Sequence, residues 1–108
     1  MDFALTEEQK ELWKVARRLA REEMAPAAAH YDRTGEYPAE IVAQAHQLGL
    51  MTLIIPAEYG GRGMGCLEGC IVAEELATGC MGMTIIILST ALALTPLILC
   101  GTDGQKRK

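Results

Sequence analysis

Residues 48–79 read LGLMTLIIPAEYGGRGMGCLEGCIVAEELATG, and the order of parts in this stretch decides the fold. An apolar helix end stops at Gly49, where a left-handed cap is expected. Met51–Ile55 is a short apolar run ended by Pro56. Periodicity does not separate a strand from buried coil over so few residues. No partner strand is visible nearby, so the expectation is extended coil. Four of the six residues Gly60–Gly65 are glycine, a density that places the backbone where other residues avoid going. A helix then runs from Cys66 to Thr78 and stops at Gly79. Its expected inner stripe is Cys66, Cys70, Ala73 and Ala77, with Leu67 and Ile71 beside it. Such small residues permit close helix approach, while Glu68, Glu74 and Glu75 supply the polar positions.

Toward the N-terminus, Leu5 to Ala29 reads as one long helix. Thr6 and Gln9 have the spacing of a capping box. Glu7 and Glu8 fall in the first turn, where the helix dipole favours acids. Leu12, Val15, Ala16 and Leu19 make an apolar stripe at helical spacing. Lys10, Lys14, Arg17, Arg18 and Arg21 take the other side. Pro26 is expected to kink or end this helix, with Ala27–Ala29 adding at most a further turn. Asp32–Tyr37 then reads as a turn, and Pro38 opens a second helix ending at Leu48 with Ile41, Ala45 and Leu48 inward.

Toward the C-terminus, Met83–Cys100 carries no charge across 18 residues. That is the lower edge of membrane-spanning length. Pro96 interrupts the run and Thr84, Ser89, Thr90 and Thr95 dilute it, so the buried centre of a larger protein is preferred to a membrane span. The reading is a helix from Gly82 to Leu94, a short one from Pro96 to Cys100, and a last one capped by Asp103.

The 108 residues suffice for one core, and 50% are hydrophobic against 22% charged. The net charge of −4 argues against nucleic-acid binding. The basic cluster Lys106–Lys108 reads as a solvated helix end. The four cysteines form no CxxC pair, and His30 and His46 lie far from them, so no metal site is expected. Cys66 and Cys70 are expected to be small apolar fillers on one helix face. The acidic start is neither a signal nor a transit sequence, which points to a reducing, cytoplasmic setting.

The loop GGRGMG invites a phosphate-cradle reading, which fails on spacing. There is no GxxxxGK[ST], and the third glycine of a GxGxxG falls on Cys66. Glu74 and Glu75 are about 100° apart on a helix and do not converge for acid–base work. Ser89 has neither an elbow motif nor a nearby histidine. Ile85, Leu88, Ser89 and Leu92 share one helix face, with Thr84 one turn before Leu88. This face either packs in the core, which spacing alone favours, or walls a narrow apolar slot.

Residues 6–65, from TEEQKELWKVARRLAREEMAPAAAHYDRTGEYP through LGLM and IPAEYGGRGMG, together with CLEGCIVAEELATGC, resemble the N-terminal helical domain of acyl-CoA dehydrogenases, most closely the medium-chain type. The closing GTDGQKRK resembles the family's helix before a middle β-domain. The resemblance covers essentially the whole chain. It implies one N-terminal α-domain over residues 1–108, with a middle β-domain and a C-terminal helical bundle lying outside the chain. It implies FAD, held mainly by those other domains, and acyl-CoA dehydrogenation between the α and β carbons. It further implies a Glu base in the C-terminal domain for the α proton, with the β hydrogen passing as hydride to the flavin. It also implies an electron-transfer flavoprotein as the electron acceptor, and the whole enzyme is expected to be a tetramer. By position, Thr84, Ile85, Leu88, Ser89 and Leu92 are the implied acyl-binding residues. Leu88 and Leu94 stand where the medium-chain pattern often has polar residues, which implies a more apolar slot. No catalytic, cofactor-binding or metal-binding residue is assigned within the chain.

The expected fold is therefore all-α, an up-and-down bundle of about five to six helices with a Gly-rich connector. The rival reading is a non-catalytic helical interaction module that uses an exposed apolar C-terminal helix. A membrane-inserting tail is the further alternative.

Overall fold

A computed structural model describes residues 2–108. All regular structure among the described residues is helical. A continuous rod comprises α1 (Glu7–Arg18), a π-helical segment (Leu19–Met24) and α2 (Ala25–Thr34). Then come α3 (Ala39–Gln47), a 3-10 turn (Ala57–Tyr59), α4 (Cys66–Gly79), α5 (Met81–Cys100) and α6 (Asp103–Lys106).

The rod begins as its sequence implies. The Thr6 hydroxyl accepts from the Gln9 N–H, and the Gln9 side chain accepts from the Thr6 N–H at 3.0 Å. Its end differs from expectation. Pro26 neither stops nor breaks the rod, because the turn upstream is wide: the Ala25 N–H donates to the Ala20 carbonyl five residues back. That π turn relaxes the backbone where the proline ring would crowd the carbonyl four residues earlier. Asp32–Thr34, expected in a turn, are helical, and Gly35 terminates the rod at φ 70°. The Gly35 N–H donates to Tyr31 O at 2.9 Å.

α3 ends in a Schellman cap. Gly49 has φ 73°, its N–H donates to His46 O, and the Leu50 N–H donates to Ala45 O at 3.0 Å. Leu50 is thereby driven inward and is fully buried. His46 is exposed. Thr52–Ile55 forms a turn instead of extended coil, because its hydrogen-bonding partner is the glycine loop itself. Arg62, Gly63 and Met64 donate to Thr52, Ile55 and Leu53 carbonyls at 3.0, 2.8 and 2.7 Å. Gly61 is obligatory in this zipper, since a Cβ there would stand 2.0 Å from Ile55 O. With the Gly61 N–H on Pro56 O and the Gly65 N–H on Glu68 Oε2, consecutive loop donors are consumed internally. None remains to cradle a phosphate, which agrees with the spacing argument.

The core is one cluster. Leu12, Ala16, Leu19, Ala20 and Met24 of the rod meet Ile41 and Ala45 of α3, Val72 and Leu76 of α4, and Met83 and Ile87 of α5. Each large side chain here contributes roughly 1.5–3 kcal/mol of burial free energy. The expected inner stripe of α4 is corrected. Ile71, Val72, Glu75 and Leu76 are buried, whereas Cys66, Cys70 and Leu67 are exposed. The branched and long side chains take the place against α1 and the π segment, and the small stripe turns outward. Gly79 makes the close approach at the far end, where a Cβ would lie 2.5 Å from Ala20 O.

α5 is one helix through Pro96, not two. Pro96 and Leu92 lie on the exposed part of α5, where water can satisfy the carbonyl left without an N–H. α6 is capped by Thr102 and not by Asp103: the Gln105 N–H donates to Thr102 Oγ1, and the Thr102 N–H donates to Gln105 Oε1 at 2.9 Å. Threonine sits one residue earlier and completes a reciprocal box with Gln105 that aspartate at position 103 cannot form.

Candidate functional site

α4 and α5 are joined by a single extended residue, Cys80, at φ −166°. The Thr84 N–H donates back to Cys80 O at 3.0 Å, which starts α5 immediately. α5 buries Met83, Thr84 and Ile87 against the core, and its opposite side faces away from it. Between α4 and α5 this leaves an open groove of about 340 Å³, lined by Ala73, Ala77, Met81, Thr84, Ile85, Leu88, Ser89 and Leu92.

All five α5 positions singled out in the sequence lie along this groove. Thr84 is buried, Leu88 half-buried, and Ile85, Ser89 and Leu92 exposed. The two hydroxyls do not make it polar. Thr84 Oγ1 donates to Cys80 O at 2.8 Å and Ser89 Oγ donates to Ile86 O at 3.0 Å. Each is turned onto its own helix, so the surface offered is almost entirely hydrocarbon. From Met81 to Leu92 the groove follows about 16 Å of helix, at 1.5 Å per residue.

The α4 wall was partly legible. Ala73 and Ala77 belong to the small-residue stripe, and their missing bulk creates the space. Met81 had no assigned role, although it stands one turn before Ile85 on the same face. No ionisable side chain lines the groove. A cavity of about 250 Å³ between the rod and α3 is different in kind, lined by Arg18, Glu22, Glu23, Gln44 and Gln47. The groove can hold an apolar chain and exclude water from it, but it carries no group that could move a proton.

The orientation of α4 is set by a polar seam on another of its faces. Gln9 Nε2 donates to Glu68 Oε1 at 2.8 Å, and Trp13 Nε1 donates to Glu75 Oε1 at 2.7 Å. Arg17 Nη1 lies 3.5 Å from Glu75 Oε2, and its guanidinium sits 4.7 Å from the Trp13 ring centre. Gln9, Trp13 and Arg17 are spaced i, i+4, i+8 on one face of α1. Arg17 therefore faces α4, although it reads in sequence as part of the solvated side. Of the adjacent acids, Glu75 is buried with these partners and Glu74 is exposed. Glu68 is held below the usual carboxylate range, first by the Gln9 amide and then by backbone N–H groups including that of Gly65.

The family model for the N-terminal domain of acyl-CoA dehydrogenases matches residues 6–108. A probable medium-chain specific acyl-CoA dehydrogenase, mitochondrial, of Caenorhabditis briggsae is 43% identical over 108 residues, which is 100% of this chain and 26% of that protein. Butyryl-CoA dehydrogenase from Megasphaera elsdenii superposes with a TM-score of 0.88 at 30% identity, covering 99% of this chain and 29% of that one. A chain in the structure described as the electron transferring flavoprotein of Acidaminococcus fermentans gives a TM-score of 0.90 at 30% identity, covering 99% and 28%. The chain thus spans little more than a quarter of the length of these relatives. Sequence across nearly the whole chain and the path of its helices agree, and the chain belongs to the acyl-CoA dehydrogenase family as its N-terminal helical domain.

Proposed function

We propose that this domain forms one wall of the acyl-chain site of a flavin-dependent acyl-CoA dehydrogenase, with Thr84, Ile85, Leu88, Ser89 and Leu92 contacting the acyl chain. The observation that carries the reading is the groove: five α5 positions implied by family resemblance lie on one continuous hydrocarbon surface. A fatty acyl chain gains about 0.8 kcal/mol per buried CH₂, and this surface offers it burial without competing polar groups.

The family implies a flavin cofactor. The groove does not fit one, since a flavin nucleotide needs donors or cations for its pyrophosphate and none lines it. On this reading FAD and the catalytic base are held by parts of the protein beyond these residues, and no chemical step is assigned here. By the same reading the whole protein acts on acyl-CoA thioesters, delivers electrons to an electron-transfer flavoprotein, assembles as a tetramer and works in the cytoplasm. The similarity to a chain from an electron transferring flavoprotein structure supports a partner of that kind.

The test is flavin bleaching by a series of acyl-CoA thioesters of increasing length, with the whole protein that carries this domain. Leu88→Glu places a charge in the groove and should lower kcat/KM for long acyl chains by about tenfold or more relative to short ones, equivalent to roughly 1.4 kcal/mol. An equal loss for every length, or none, would remove the acyl chain from this groove.

One observation favours a second reading. Met81–Cys100 is a 20-residue helix whose most apolar 18 residues have a mean hydropathy of 2.2 and are only 17% buried, long and apolar enough to cross a membrane. Flotation of the protein with liposomes would establish a membrane role. Absence from the lipid fraction would leave the groove reading in place.

A further inference from the structure

Cys66 opens α4 and Cys70 follows one turn later on the same face. Both are exposed free thiols. They continue the stripe of Ala73 and Ala77 beyond the groove. The scaffold beneath them is rigid: Val72 and Leu76 are fully buried, and the first turn is tied by the Gly65 N–H on Glu68 Oε2 at 3.0 Å. The Cys70 thiol is pushed above its ordinary value, first by the neighbouring Cys66 side chain through a hydrogen bond and then through its charge. Four residues apart in one helix, the two side chains are neighbours on the same face, with Cβ atoms about 5–6 Å apart.

A direct disulfide suits this spacing poorly. Helical neighbours at i, i+4 have Cβ atoms about 5–6 Å apart, whereas a disulfide needs roughly 3.5–4.5 Å. One bridging atom between the sulfurs removes that mismatch. We propose that Cys66 and Cys70 form a preorganised dithiol clamp for a thiophilic centre satisfied by two sulfurs, namely a trivalent organoarsenical. The reaction is a condensation: R–As=O and two Cys–SH give R–As(S–Cys)₂ and water. Two As–S bonds form and the As=O bond is lost. The two thiol protons leave with the oxygen, and arsenic stays trivalent, so no oxidant is required. Thiolate sulfur is the soft ligand such a centre selects. Cys80 is half-buried at the start of α5 and Cys100 lies at its far end, so neither offers a partner one turn away.

The inference stands apart from the acyl-CoA reading, and its test uses no activity. Phenylarsine oxide is added to the whole protein in the presence of a monothiol that strips one-sulfur adducts, and intact mass and free thiols are measured. One phenylarsenic group, with loss of water and of two titratable thiols, is the expected product. Cys66→Ser and Cys70→Ser should each weaken retention by about 100-fold or more, because the second sulfur acts as a tethered ligand. The Cys80→Ser/Cys100→Ser variant should retain the adduct. Both cysteines are on the surface, and far-ultraviolet circular dichroism verifies that the variants stay helical. Absence of an adduct on the unmodified sequence overturns the proposal. So does full retention in either single variant, or loss confined to the Cys80/Cys100 variant.

Discussion

Gly69 and Gly79 occupy the same helix and have opposite reasons to be glycine. A Cβ at Gly69 meets nothing within 4 Å, whereas at Gly79 it would collide with the Ala20 carbonyl of the π segment. Gly79→Ala should therefore lower stability by about 1–3 kcal/mol, since backbone and not a pliant side chain must yield. Gly69→Ala should raise it by roughly 0.5–1 kcal/mol through helix propensity. Urea denaturation of the pair checks both signs. Equal shifts would mean that the contact at Ala20 does not determine the crossing of α4. Helix periodicity marked Gly79 as a stop signal, but its contact with a residue 59 positions earlier is a tertiary fact. Arg17 differs from expectation for the same reason. It reads as part of the charged outer side of α1, and only the crossing of α1 over α4 makes it the partner of Glu75, for which an ion pair with a basic side chain is one of the readings its sequence allows.

Among the elements, local starts and stops were legible and lengths were not. The capping boxes at Thr6 and the left-handed stop at Gly49 were readable because they depend on neighbours within a few residues. The lengths of the rod and of α5 were not, because a proline can be carried by a π turn or by an exposed position. Pro96→Ala should stabilise α5 by about 2 kcal/mol, the interior proline cost less the entropy it removes from the unfolded chain. Thermal unfolding followed at 222 nm (about the helical minimum) measures this, and no gain would mean that α5 is already distorted there. The seam to α1 makes a pH prediction. The Glu68 carboxyl is held below its ordinary value of 4.5, chiefly by the Gln9 side-chain hydrogen bond. A depressed folded-state pKa contributes stability above the unfolded value, and this is lost as pH falls through the folded one. The acid limb of the stability profile should thus steepen below about pH 4.5 and flatten in Glu68→Gln. Parallel acid limbs in the two proteins would dismiss the contribution.

For the whole molecule the decisive feature is the unburied side of α5. Ile85, Leu92 and Leu99 are 61%, 78% and 74% exposed, on a helix whose most apolar window is only 17% buried. A contiguous surface of this kind is covered in a stable assembly or binds what it meets. The 108-residue chain by itself should bind a hydrophobic dye strongly and self-associate. The same domain within a chain of its relatives' full length should do neither. A monodisperse, sharply melting monomer of the short chain would show that α5 needs no cover.

The sequence by itself determined the helical class, the caps at Thr6 and Gly49, the glycine connector and the family, because these rest on local periodicity, on backbone chemistry and on motif order. It also brought together the α5 residues of the groove, since i, i+3, i+4 and i+7 positions share a face whatever surrounds them. Tertiary structure alone decided which face of α4 is inside, that the glycine loop is zipped to Thr52–Ile55, and that an open groove lies beside Thr84–Leu92. Those outcomes depend on which bulky side chains win the space against α1, and that competition is between residues far apart in the chain.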